Sequence, residues 1–212
     1  MAARSDRRSL GALGIAVLAL LVERPMHPYE MFQTLLQRGE ERLLKVRPGS
    51  LYHTVDRLEH AGLVHAAGTE REGNRPERTT YEITVAGRGA LTDRITEILG
   101  TPDREYPLFP VALGEAHNLP ADDVVGLLRK RIAAREADVA ELDEYAARAR
   151  AKHLPRVFWF EAEYLRRLAE AERGWLDELV GEIESGTLPW MADYLDGLHA
   201  HTEETARTKD RA

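Results

Sequence analysis

The chain has 212 residues, a formal net charge of −7 and no cysteine, which excludes disulfide scaffolds, thiolate metal sites and thiol catalysis. Hydrophobic residues make up 43% and charged residues 31%, so a packed core is within reach and wholesale disorder is excluded. The acid is unevenly placed: residues 1–98 balance 14 Lys and Arg against 13 Asp and Glu, whereas 99–212 carry 15 against 23, so only the second half is held away from polyanions.

The start imitates a secretory signal, with basic residues ahead of an uncharged run over 9–22. Glu23-Arg24-Pro25 stands where a small-residue cleavage site belongs, and the run falls short of the ~20 residues that cross a bilayer. A buried first helix is the reading, with Leu13, Val17, Leu20 and Leu21 at helical spacing and Pro25 as its end. No membrane segment and a cytoplasmic location are expected. A second helix follows Pro28, with Met31, Leu35 and Leu36 apolar and Gly39 just past its end. The stretch RPGSLYHTVDRLEHAGL predicts a third, in which Leu51, Val55 and Leu58 form one stripe and Gly62 the stop. At 100° per residue His53, Asp56, Arg57 and His60 fall on the opposite face, with Ser50 and Tyr52 on its shoulders.

Residues 63–69 and 79–84 read as strands of a hairpin whose tip holds Arg71, Arg75, Pro76 and Arg78. Gly87 and Gly89 precede a fourth helix over about 90–99, and GTPDREYPLFP reads as a linker. Beyond Pro120, Val125, Leu128, Ile132, Arg135, Val139, Leu142, Ala146 and Ala149 are spaced alternately three and four apart, the repeat of a coiled-coil seam. Arg135 there requires a carboxylate across the interface. Lys152-His153-Leu154-Pro155 breaks the pattern, and Leu165, Leu168, Leu176, Leu179 and Ile183 renew it. The expected organisation is mainly α: a winged helix-turn-helix domain over 1–99, a linker over 100–119, a long-helix dimerisation domain over 120–186 and a partly ordered tail over 187–212.

Three helices and then a hairpin is the order in which the third helix enters a major groove and the hairpin rests on the flanking backbone. Pro28-Tyr29-Glu30, Pro48-Gly49-Ser50-Leu51-Tyr52, Arg57-Leu58-Glu59, Gly62-Leu63, Arg75-Pro76 and Tyr81-Glu82-Ile83-Thr84 together resemble the PadR family of bacterial transcriptional regulators. Tyr106-Pro107-Leu108, Leu128 with Arg131, and Glu172 with Trp175-Leu176 extend the resemblance into the second half. It implies a homodimeric, usually repressing regulator that binds an inverted repeat in double-stranded DNA and lets go when a small aromatic or amphipathic effector binds. One departure is Arg47, where the family often has a Ser or Thr able to cap the recognition helix.

The candidate DNA contacts are Arg47, Ser50, Tyr52, His53, Arg57, Arg71, Arg75 and Arg78. Each has a plainer reading, as ordinary solvated surface or, for Tyr52, as the lid of the three-helix core. Asp56 is left out, since a carboxylate facing DNA is repelled unless it pairs with His60 or accepts from a cytosine amino group. The candidate dimer interface is Val125, Leu128, Ile132, Val139, Leu142, Leu168, Leu176 and Leu179, with packing between the chain's own two long helices as the alternative. Phe158, Trp159, Phe160, Tyr164 and Trp175 read as core or as walls of an effector pocket between the domains. Arg4, Arg7 and Arg8 read as an arm along the duplex or a disordered tail, and no histidine has metal-ligand spacing. No catalytic motif, metal or cofactor is expected. The rival to a DNA-binding regulator is a winged-helix protein-interaction module with an acidic helical binding surface.

Overall fold

The computed structural model describes residues 10–70, 78–102 and 105–190, and the chain divides into two units at Glu105 and Tyr106. In the first unit, α1 (Ala12–Glu23), α2 (Pro28–Gln37) and α3 (Pro48–His60) precede an antiparallel pair, β1 (Val64–Glu70) and β2 (Arg78–Ile83), and then α4 (Val85–Gly100). Val17, Leu18, Leu20 and Leu21 of α1 are all buried, so the run that imitates a signal is the centre of the core. No helix among the described residues is long and apolar enough to cross a membrane. From α2 come Met31 and Leu35, and from α3 the stripe Leu51, Val55 and Leu58. Leu51 is fully buried, and its truncation to alanine would cost about 2–5 kcal/mol.

β1 and β2 pair from Val64 opposite Ile83 to Glu70 opposite Arg78, with an irregularity between Ala66 and Gly68. Sequence reasoning missed that Met26 joins this sheet: its N–H donates to the Tyr81 carbonyl (3.1 Å) and its carbonyl accepts from Tyr81 N–H (3.0 Å). The chain leaving α1 is thereby tied to the base of the hairpin.

The start of α4 differs from expectation. Gly87 and Gly89 lie inside the helix, which begins at Val85 because Thr84 caps it by accepting from the Gly87 N–H at 2.9 Å. The same hydroxyl donates to the Gly62 carbonyl (2.8 Å) at the end of α3. Gly62 itself has φ 69°, a left-handed turn that glycine adopts without the steric cost of a Cβ.

The second unit contains α5 (Leu108–Gly114), a 3₁₀ turn (Ala116–Asn118), α6 (Ala121–Ala151), a 3₁₀ turn (Arg156–Phe158) and α7 (Phe160–Glu184). α5 lies where a linker was expected. Pro107 and Pro110 do not forbid it, since both stand before or within the first turn, where the missing N–H would have no helical partner.

α6 and α7 form a hairpin whose seam is filled from within the chain. Val125, Leu128 and Ile132 pack with Leu176 and Val180, and Leu179 lies against the same cluster. Leu142 is buried and Val139 half-buried. On α7 the buried positions are Ala162, Ala169, Leu176 and Val180, which leaves Leu168 50% exposed. Arg135 meets its carboxylate inside the chain: Glu172 of α7 lies 3.8 Å away and Asp138 2.8 Å. Glu172 also receives the Arg131 Nε–H, and the Arg131 guanidinium lies 3.4 Å from the Phe109 ring centroid.

Candidate nucleic-acid interface

The outward face of α3 follows from the burial of its inner one. Leu51, Thr54, Val55 and Leu58 point into the core, which leaves Ser50, Tyr52, His53, Asp56, Arg57 and His60 exposed. Thr54 is made compatible with the core by donating its hydroxyl to the Ser50 carbonyl at 2.8 Å.

Charge on this face is unneutralised, whereas nearby arginines are committed. Arg38 forks onto Glu23 (2.6 and 2.8 Å), Arg24 pairs with Glu30, and Arg94 with Glu97 (2.8 Å). These contacts have a measurable consequence: hydrogen bonding from Arg38 holds the Glu23 carboxyl below the usual range, and Arg24 does the same to Glu30. The guanidinium groups of Arg47 and Arg57, by contrast, make no ion pair or hydrogen bond among the described residues. Free, exposed guanidinium groups on one helix and its cap are available to phosphate oxygens or to guanine O6 and N7.

The departure at Arg47 has a structural result. Arg47 occupies the N-cap of α3 in extended conformation, Pro48 follows at the first helical position, and no side chain caps the helix. The Gly49 and Ser50 N–H groups therefore face outward with the positive end of the helix dipole, beside a free guanidinium, an arrangement that attracts anions.

Tyr52 is 41% exposed, and its ring meets His27 edge-on at 6.2 Å between centroids. His27 is fixed as the N-cap of α2, where Nδ1 accepts from the Tyr29 N–H at 3.1 Å. Tyr52 is thus braced on one edge while its other end stays open to solvent. Sequence reasoning did not pair these two rings, although the Pro28-Tyr29 signal marked the neighbouring helix start.

Asp56 and His60 do not meet side chain to side chain. The His60 ring lies 2.7 Å from the Asp56 backbone carbonyl. Burial raises the Tyr81 phenol above its ordinary value, with Glu59 and Asp56 adding to the shift; Tyr81 of β2 accordingly sits under the acidic side of α3 and ties hairpin to helix. Arg78 pairs through its backbone opposite Glu70. Arg71 and Arg75 lie outside the described residues, as do Arg4, Arg7 and Arg8.

In the second unit, Trp159 is buried and its indole N–H donates to the Leu154 carbonyl at 3.1 Å. Phe158, Phe160 and Tyr164 are exposed, and Trp175 lines a cavity within that unit.

Comparison with solved structures finds the fold in Bacillus subtilis PadR in complex with operator DNA, at 16% identity and TM-score 0.67, covering 80% of this chain and 96% of that one. The same Bacillus subtilis protein in complex with p-coumaric acid matches at 14% and 0.63, covering 82% and 98%. The Vibrio cholerae virulence activator AphA matches at 19% and 0.63, covering 82% and 99%. A search of curated proteins finds no match. In sequence, residues 17–93 match the transcriptional regulator PadR-like family, a span that runs from the core of α1 through the outward face of α3 to α4. Over those residues the first unit is similar to the transcriptional regulator PadR-like family.

Proposed function

We infer that this chain is a sequence-specific DNA-binding regulator that occupies an inverted repeat as a homodimer and represses by covering a promoter, and that a small-molecule effector releases it. The observation that carries the reading is the α3 face, where Arg47 and Arg57 are exposed and, among the described residues, without an ion pair, beside Ser50, Tyr52 and His53. Each subunit places α3 in the major groove, with Arg57 and His53 toward base edges or phosphates and Arg47 on the backbone at the uncapped helix start. Arg71, Arg75 and Arg78 of the hairpin reach the flanking phosphates. The fold relatives solved with operator DNA and with p-coumaric acid support the same assignment.

Two copies are required by an inverted repeat. The α6–α7 seam is already filled within one chain, so the partner surface is the outer face of α7. There Phe160, Tyr164 and Leu168 recur every fourth residue and are 52%, 62% and 50% exposed, an apolar stripe with no function within the hairpin.

Selection of bound duplexes from a random pool tests the reading. It should enrich a palindrome whose half-site centres lie one DNA turn, about 34 Å, or a multiple of it apart. Enrichment of no sequence would refute it.

A further inference from the structure

The apolar stripe on the outer face of α7 continues beyond Leu168. At 100° per residue Ala171 and Trp175 fall on the same line as Phe160, Tyr164 and Leu168. All five are exposed, opposite the buried Ala162, Ala169, Leu176 and Val180. The stripe is symmetric about a point between Arg167 and Leu168: Phe160 and Trp175 are equally far from it, and so are Tyr164 and Ala171. A helix face with that symmetry fits a second copy of itself running the other way, with ring against ring at the ends and the small Ala171 opposite Tyr164. Arg167, beside that point, has Glu163 and Glu170 one turn away on either side, so two copies of it can approach without a bare like-charge contact.

Charge along this line has a direction. After Trp175 the next residues on it are Glu178 and Glu182, both exposed and without an ion pair among the described residues. Carboxylates approaching the negative end of a helix are unfavourable, and the last turn of α7 holds no basic residue to offset them. The arginines nearby are committed elsewhere, Arg129 to Glu184 (2.6 Å) and Arg173 to Glu136 (3.6 Å) and Asp177 (3.9 Å).

The opposite end of the hairpin carries the opposite sign. Residues 145–159 hold Arg148, Arg150, Lys152 and Arg156 and no carboxylate. Arg148 lies 3.5 Å from Glu144, Arg156 forks onto Glu163 (2.9 and 2.6 Å), and Arg150 lies over the Trp159 ring at 4.9 Å. Lys152 and His153 are exposed and have no ion pair among the described residues, in the turn that left-handed His153 (φ 53°) makes after α6. Within one chain they cannot serve Glu182: α7 alone puts about 33 Å between Phe160 and Glu182 at ~1.5 Å per residue, several Debye lengths at physiological salt.

We propose that α7 packs antiparallel against α7 of a second copy, Phe160 of one facing Trp175 of the other, so that Glu178 and Glu182 of each copy lie over Lys152 and His153 of its partner. This rests on the reading above that the outer face of α7 is the partner surface, and it adds the orientation and the residues that set it. A parallel pair would lay Glu178 and Glu182 against their own counterparts, a like-charge contact. The antiparallel pair brings unlike ends together, and symmetry makes that contact twice.

The chain has no cysteine, so introduced cysteines report the contact without interference. Full chains carrying Phe160→Cys and Trp175→Cys are mixed, allowed to exchange subunits and oxidised gently, and the linked products are separated by mass. The mixed disulfide should exceed either self-linked product by at least ~5-fold, because only residues whose Cα atoms approach within about 4.4–6.8 Å can be bridged. Independently, Lys152→Glu and Glu182→Lys should each weaken the dimer by ~3- to 10-fold in analytical ultracentrifugation at low ionic strength, and both in one chain should restore it to within ~2-fold, with circular dichroism unchanged throughout. Self-linking of Phe160→Cys as fast as mixed linking, or a double reversal no better than the single ones, overturns the proposal and leaves the α7 surface standing. A dimer that links through neither cysteine overturns the α7 surface as well, and a chain monomeric at every concentration removes the homodimer altogether.

Discussion

Two glycines two residues apart in α4 should respond in opposite directions to the same substitution. A Cβ on Gly87 would overlap the Leu63 carbonyl oxygen and stand 2.8 Å from Ile83 Cγ1 and 3.0 Å from the Leu63 carbonyl carbon. The oxygen is backbone, and it accepts the Thr84 N–H at 3.0 Å, so relief requires α4 to move away from the α3–β1 junction. The expected cost of Gly87→Ala is about 3 kcal/mol, at the upper end of overpacking. At Gly89 a Cβ meets nothing within 4 Å, and alanine in an exposed helical position should stabilise by about 0.5–1 kcal/mol. Hydrogen exchange of the core amides of α1 reports the first unit directly. Where exchange follows global opening, 1.4 kcal/mol is tenfold, so Gly87→Ala should accelerate it by on the order of 100-fold and Gly89→Ala should slow it by roughly two- to five-fold. Unchanged protection in Gly87→Ala, or equal damage from both, would refute the close approach of α4 to Leu63 as the reason for a glycine there.

In the second unit, Glu172→Gln leaves Arg131 and Arg135 facing each other without their shared carboxylate; urea unfolding followed by tryptophan fluorescence should show a loss of about 1–3 kcal/mol, against under about 1 kcal/mol for Glu184→Gln in the exposed pair with Arg129. Leu168→Glu, on the exposed stripe, should give monomers by light scattering with helix content intact, whereas buried Leu142→Glu should destabilise the hairpin itself; a persistent Leu168→Glu dimer would move the partner surface elsewhere. Glu23 and Glu30 have depressed carboxyl pKa values in the folded chain, so the stability they contribute is present above the unfolded value of about 4.3 and lost as pH falls through the lower folded values. Arg38→Met should remove the Glu23 share and flatten the acid limb of the stability curve below that range; an unchanged limb would show the fork to be energetically silent.

Legibility followed how local the signal was. Leu51, Val55 and Leu58 repeat within one helix and end at Gly62, so the outward face of α3 could be read by counting 100° per residue, and the structure exposes the residues that count placed outward. The start of α4 could not be read this way, because two glycines look like breakers unless one knows that Thr84 caps the helix and that Leu63 approaches Gly87. Helix α5 was hidden by prolines whose harm depends on their position in the first turn. The heptad spacing of α6 identified the buried residues but not their partner. Periodicity is the same whether a seam meets its own chain or another, and Ala162 and Ala169, which decide the matter, carry little hydrophobic signal. Trp190 falls in the stretch read from sequence as a partly ordered tail, and its bond to Leu119, 71 residues away, is a tertiary fact.

DNA binding through the exposed Arg57 of α3 can be read in a single titration. Anisotropy of a labelled, selected operator titrated with the full chain at several salt concentrations, beside a scrambled duplex and the variant Arg57→Ala, tests it most directly. Binding at least ~1000-fold tighter to the operator than to the scramble is expected, with the log–log salt slope reduced by about 0.9 for each phosphate contact that Arg57→Ala removes from the dimer; if Arg57 reads a base instead, the loss is confined to the operator and the slope is kept. Weak binding that ignores sequence and is unaltered by Arg57→Ala would contradict it.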